Sequence, residues 1–268
     1  MIIDQSLAIE TLRAAPVIPA PSEHIVIPDF LSGESYAELQ AAMPSTDHMT
    51  RYEAPHEFRY FYMLDNSGVA ALDATIRPVW SAIASFFQGS EMLTALHDKF
   101  AETIRDQTRH RQRLIEKVSD ASGILETPRL MTTSDCQDFL LKPHTDSGPK
   151  VVTVLYYLAE QGQPEEWGTE FYAPIEPEFR SFPSHHWERE NFHLVARAPF
   201  KPNTLVAFVK TDASFHGVHA TGLLGKRRNM IVLNVELGER DDFDVRFRIN
   251  PAYFTRDPVP AGAAGSNA

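Results

Sequence analysis

The second half of this chain constrains its fold more than any other feature. From residue 124 on, short apolar runs are bounded by Gly, Pro, Asp and Ser: "RLMTT", "DFLLKPH", "VVTVLYYLA", "GTEFYAPI", "FHLVARAPF", "TLVAFVK", "HGVHAT", "RRNMIVLNVEL" and "VRFRINPAYF". Runs this short, with turn residues between them, read as eight or nine strands. No long helical pattern separates them, so βαβ units are excluded and a sandwich or barrel is predicted.

The first half has a different texture. "HIVI" at 24–27 alternates and is β-branched, so it reads as a strand. Ser32 then offers an N-cap for a helix carrying Tyr36, Leu39 and Met43 on one face. Residues 68–88 and 91–119 show apolar residues at three- and four-residue steps, including Val69, Leu72, Ile76, Val79, Trp80, Ile83 and Phe87 in the first. Pro78 is expected to kink or interrupt that first helix. The predicted architecture is mainly β, with residues 1–123 as N-terminal strand and helices on a core of 124–255. Residues 256–268, "PVPAGAAGSNA" and its preceding pair, are expected to be a disordered tail. The whole is expected to form one structural domain.

The chain has 268 residues, enough to bury a core without staples. Its formal net charge is −11, which repels phosphate backbones and argues against a nucleic-acid partner. The basic run "RHRQR" at 109–113 reads as a solvated helix face. The single cysteine, Cys136, allows no internal disulfide and favours a reducing compartment. The first residues lack a basic segment followed by an apolar run, and no stretch approaches membrane-spanning length. A cytoplasmic protein is therefore expected, with its oligomeric state left open.

Between two of the predicted strands lies "KPHTDSG", residues 142–148. His144 and Asp146 are two apart, which on extended backbone puts them on one face. A third partner is His216, in "SFHGV", which like His144 sits at the rim of a predicted strand. Two histidines and one carboxylate occupy one face of an octahedron and leave three positions open, an arrangement suited to ferrous iron and O2. HxD alone is a weak signal, and Asp146 could simply cap a turn. Soon after His216 comes "GKRRNMIVLNVEL", whose first arginine, Arg227, is eleven residues on. A guanidinium inside a barrel is costly unless it meets a carboxylate, and Arg grips one with two prongs.

Taken in order, "HTD", "FHGV" and "RRNM" resemble the signature of the Fe(II)/2-oxoglutarate-dependent oxygenases, and "VTVLYYL" with "EEWGTEFYAP" is similar to their prolyl-hydroxylase-like branch. The resemblance covers roughly residues 129–240. It implies a double-stranded β-helix, or jelly roll, holding Fe(II) on His144, Asp146 and His216. It also implies 2-oxoglutarate as cosubstrate and O2 as oxidant. The far carboxylate of the cosubstrate would be held by Arg227, with Asn229 beside it as in the family's Arg-x-Asn variants. Arg228 stays open as the alternative, since one residue of register exchanges the two. Tyr157 shares a strand face with Thr153 and Leu155 and could reach the same carboxylate.

Asp146 is the carboxylate that halogenating members of the family lack, so hydroxylation is the expected outcome, with desaturation or ring formation open. The expected substrate is a small or amino-acid-like molecule, selected by the N-terminal helices and by loops 159–168 and 176–192. The other readings are a cupin-like metalloenzyme that uses no 2-oxoglutarate, and a non-catalytic jelly roll used for binding. His219, His185 and His186 are expected on the surface or behind the ligands. His97 is expected on a helix and Trp167 against a glycine turn; Arg129 is expected in a structural ion pair, with a reach into the pocket from the first barrel strand as the alternative.

Overall fold

The structure is a computed structural model and describes residues 3–53, 58–223 and 225–255. Among the described residues, seven α-helices precede the main β region: α1 (Gln5–Ala14), α2 (Gly33–Ala41), α3 (Asn66–Ala71), α4 (Arg77–Phe87), α5 (Ser90–Lys99), α6 (Ala101–Asp106) and α7 (Gln112–Val118). Among them lie β1 (His24–Ile27), β2 (Thr50–Arg51) and β3 (Arg59–Met63), and then the short β4 (Ser119–Asp120). The nine apolar runs of the second half each carry a strand. These are β5 (Gly123–Asp135), β6 (Phe139–His144), β7 (Lys150–Tyr157), β8 (Glu170–Pro174), β9 (Phe192–Arg197), β10 (Thr204–Val209), β11 (His216–Ala220), β12 (Arg228–Leu237) and β13 (Phe247–Ile249).

The strands form two antiparallel sheets. The larger runs β1-β10-β7-β12-β5-β3-β2, with β4 and β13 also paired to β5; the smaller runs β6-β11-β8-β9. From β5 to β12 the chain passes back and forth between the sheets, so that strands far apart in sequence become neighbours. That path is the double-stranded β-helix. The N-terminal strand β1 extends it by pairing with β10, from His24 opposite Phe208 to Ile27 opposite Leu205.

Alternation along each strand splits the apolar residues between two cores. On the outer face of the large sheet, Val152, Val154, Tyr156, Leu205, Ala207, Ile231 and Leu233 pack under Trp80, Ile83, Phe87, Leu93 and Leu96 of the helices. Between the sheets, Tyr157, Val206, Phe208 and Met230 meet Phe171, Val218 and Phe200. The helices therefore close one side of the large sheet and leave its other side to the barrel interior.

Two helical predictions need correction. Residues 68–88 are not one kinked helix: α3 ends at Ala71, and Pro78 sits in the first turn of α4. There its missing N–H costs nothing and its fixed φ suits helix initiation. Residues 91–119 divide into α5, α6 and α7 rather than one rod. The Ser32 cap forms as expected, its hydroxyl accepting from the Ser35 N–H at 3.2 Å. Residues 256–268, expected to be disordered, lie outside the described residues.

Candidate active site

His144 ends β6, Asp146 follows in the turn to β7, and His216 begins β11. Register makes His216 the direct partner of His144 across the β6–β11 pair. All three are buried, and one ligand atom from each lies within 4.8 Å of the others. Each imidazole donates from Nδ1 to a backbone carbonyl two residues back: His144 to Lys142 at 3.0 Å, His216 to Ser214 at 2.9 Å. This orients both rings and leaves both Nε2 atoms as lone-pair donors. Burial lowers both histidine pKa values, most strongly for His144, where the His216 ring adds to the effect. Burial would raise Asp146, but Lys150, His216 and His144 outweigh it and hold the carboxyl well below its usual range. Two neutral imidazoles and an ionised carboxylate are the protonation states a ferrous ion needs. The donor set fits such an ion.

Asp146 is held by Lys150 Nζ at 2.7 Å on Oδ1 and by the Thr153 hydroxyl at 2.7 Å on Oδ2. Phe208 packs on the His216 ring at 4.4 Å between centroids. The loop residue His186 stacks on His144 at 4.7 Å, although its side chain is exposed. His185 is exposed on the same loop. His219, three residues after His216, is exposed, its Nδ1 2.7 Å from Arg189.

A cavity of about 240 Å³ opens from the triad along the inner face of the large sheet. Its deep end is lined by Arg228, Arg59, Thr133, Met230 and Thr169. The expected assignment of Arg227 and Asn229 to this face is corrected here. The β12 register sets Arg228 opposite Asp135 and Met230 opposite Tyr157, so even-numbered residues point inward. Arg227 lies before the strand, is exposed, and approaches Cys136 Sγ at 3.2 Å. Asn229 faces the other way, and its Oδ1 is buried without a hydrogen-bond partner.

Arg228 is buried to 1% exposure. It donates from Nε to the Trp167 carbonyl at 2.6 Å and from Nη1 to Asp135 at 2.9 Å, while Nη2 makes no hydrogen bond among the described residues. Arg59 grips the same Asp135 with two bonds, 2.6 and 3.0 Å. Two guanidiniums against one carboxylate leave the deep end with a surplus positive charge. The Thr133 hydroxyl beside them is buried and unpaired. A carboxylate would satisfy both. Tyr157 stands behind this group rather than in it. Its phenol donates to the Thr169 hydroxyl at 2.7 Å and accepts the Thr169 N–H at 2.9 Å, and burial raises its pKa despite Arg228 nearby.

No family model matches the chain, and no curated protein matches it. Solved structures do match over most of its length. The 2-oxoglutarate-dependent epimerase SnoN of nogalamycin biosynthesis is 12% identical over 97% of this chain and 89% of its own, with a TM-score of 0.49. A prolyl-4-hydroxylase of Pseudomonas putida is 11% identical over 88% of this chain and 100% of its own, at 0.46. HygX of Streptomyces hygroscopicus, solved with nickel, 2-oxoglutarate and hygromycin B, is 13% identical over 80% and 82%, at 0.45.

Three residues near the triad escaped the sequence reading. Asp135, which neutralises half of the deep cationic pair, carries no motif. Arg111, read as part of a solvated basic face, is 2% exposed and donates to the carbonyls of Gly148 at 3.1 Å, Lys150 at 2.6 Å and Lys210 at 3.0 Å. Lys210 is buried beside it, bonded to the Thr145 hydroxyl at 2.8 Å, and burial pulls its ammonium down to about 7. Trp167 behaves as expected. Its indole donates to the Thr221 carbonyl at 2.7 Å, and at the adjacent Gly168 a Cβ would sit 1.7 Å from the Ala198 carbonyl oxygen.

Proposed function

We propose that this chain is an Fe(II)- and 2-oxoglutarate-dependent dioxygenase that hydroxylates a C–H bond of a small or amino-acid-like molecule. The observation that carries the reading is one cavity with a two-histidine, one-carboxylate donor set at one position and an under-neutralised buried arginine pair at another. An iron site alone would not call for the second feature. A barrel used only for binding would not call for the first.

His144, Asp146 and His216 would hold the ferrous ion, with Lys150 and Thr153 fixing the carboxylate. Arg228, with the Thr133 hydroxyl, would bind the far carboxylate of 2-oxoglutarate, while Asp135 and Arg59 hold the Arg228 guanidinium in place. With both groups bound, the iron supplies the oxidising chemistry: O2, 2-oxoglutarate and substrate C–H give succinate, CO2 and substrate C–OH. The protein's own part is to hold the partners in reach and exclude water. Met230, Val232, Leu155 and Phe208 line the space with apolar surface.

The test is succinate formation from 2-oxoglutarate after anaerobic Fe(II) addition and admission of O2, without prime substrate. Slow uncoupled succinate formation is expected, and His144→Ala should abolish it. Arg228→Ala should raise the 2-oxoglutarate concentration needed at least tenfold, whereas Arg227→Ala should leave it unchanged. Tight Fe(II) binding with no 2-oxoglutarate affinity would overturn the reading in favour of a cupin-like metalloenzyme.

A further inference from the structure

Two opposite charges that form no ion pair with each other line the same cavity. Arg129 on β5 and Glu236 on β12 both line it. Asn234 lies opposite Arg129 in register, and Glu236 lies opposite Lys150 on the other flank of β12. No ion pair within 4.0 Å joins Arg129 to Glu236. Each is instead tied outward: Arg129 Nη2 to the half-exposed Asp242 at 2.9 Å, and Glu236 to Arg240 at 3.6 Å.

Neither group is satisfied by these ties. Arg129 Nε is buried without a hydrogen-bond partner. The Glu236 carboxylate is 5% exposed and accepts no hydrogen bond among the described residues. Lys150, the ammonium facing it across the register, already bonds Asp146 at 2.7 Å. Burial raises the Glu236 pKa although Lys150, Arg240 and Arg129 all oppose it. The Glu236 carboxylate thus has cations near it but no hydrogen-bond donor, and the buried Arg129 Nε–H has no acceptor.

We infer that the prime substrate is a free amino acid, its carboxylate received by Arg129 and its ammonium by Glu236, with the side chain directed toward the triad. A neutral substrate would leave the Arg129 Nε–H without an acceptor and the Glu236 carboxylate without a donor. A simple anion would face Glu236, and a simple amine would face Arg129. The inference rests on the dioxygenase reading for its chemistry but not for its binding contacts.

The test uses pools of the L-amino acids, the same pools N-acetylated, and the same pools as C-terminal amides. Binding is read by saturation-transfer NMR on metal-free protein, and turnover by succinate formation and a product 16 mass units heavier. At least one free amino acid should bind and raise succinate formation tenfold or more above the uncoupled rate. Its acetylated and amidated forms should not. Glu236→Gln should raise KM for the free amino acid at least tenfold and narrow its advantage over the N-acetyl form; Arg129→Gln should do the same against the amide. Uncoupled turnover with no response to any free amino acid overturns this inference and leaves the dioxygenase reading standing. Binding of a free amino acid with no succinate formed supports the site and overturns that reading instead. A response equal for free and acetylated forms also overturns the inference.

Discussion

At the scale of single residues, Asp135 has the largest consequence for its size. It is fully buried between Arg59 and Arg228, and although burial would raise its pKa, the two guanidiniums hold it below the usual carboxylate value. Replacing one member of a buried ion cluster strands its partners, at about 3–5 kcal/mol. Asp135→Asn is therefore expected to lower the urea unfolding free energy by about that amount. A loss under 1 kcal/mol would mean that solvent or another group neutralises the pair. The sequence could not have singled this residue out. "SDCQ" has no spacing that marks a buried carboxylate; only the register of β5 against β12 brings Asp135 to Arg228. By contrast, His144, Asp146 and His216 were legible, because local spacing and strand-edge positions already limited where their side chains could go.

At the scale of elements, the β12 register decides which arginine matters. The choice of Arg227 in the sequence reading followed a polar neighbour two residues on. The strand's own alternation contradicts that choice, since Ile231, Leu233 and Val235 belong to the core beneath the helices and Met230 and Val232 to the barrel. Both faces are apolar here, so hydrophobic pattern alone cannot fix the inward set. The segment before α7 shows a related limit. Arg111 reads as surface charge because its partners are backbone carbonyls, which leave no trace in sequence. Its three bonds fasten this helical segment to the turn that carries Asp146 and to the end of β10. Arg111→Met keeps the bulk and removes those bonds. Expected are a loss of about 2–4 kcal/mol in urea unfolding and weaker Co(II) binding by absorbance titration. Destabilisation with unchanged Co(II) affinity would show that the turn keeps its shape unaided.

At the scale of the whole molecule, one buried pair joins the helical layer to the barrel. His97 of α5 and Glu126 of β5 are both fully buried, 3.0 Å apart, with His97 Nδ1 donating to the Leu93 carbonyl at 2.8 Å. Tyr253 and Phe254, at the far end of the described chain, pack on the same imidazole. Burial works to lower the His97 pKa, but Glu126 outweighs it and the net shift is upward from 6.5. A raised folded-state pKa gives stability that is full below the unfolded value of 6.5 and is lost as pH rises through the folded value. Lys210 has the opposite sign. Its ammonium is pulled down to about 7, so its contribution grows between there and the unfolded value of 10.5. The two slopes have opposite signs, and a raw stability profile would mix them. The difference between wild type and His97→Gln isolates the first. Urea unfolding free energies measured from pH 5 to 9 should show a wild-type advantage at the acid end that shrinks as pH rises. An advantage constant across that range would mean that His97 stays neutral throughout and that the two layers are joined by a hydrogen bond without charge.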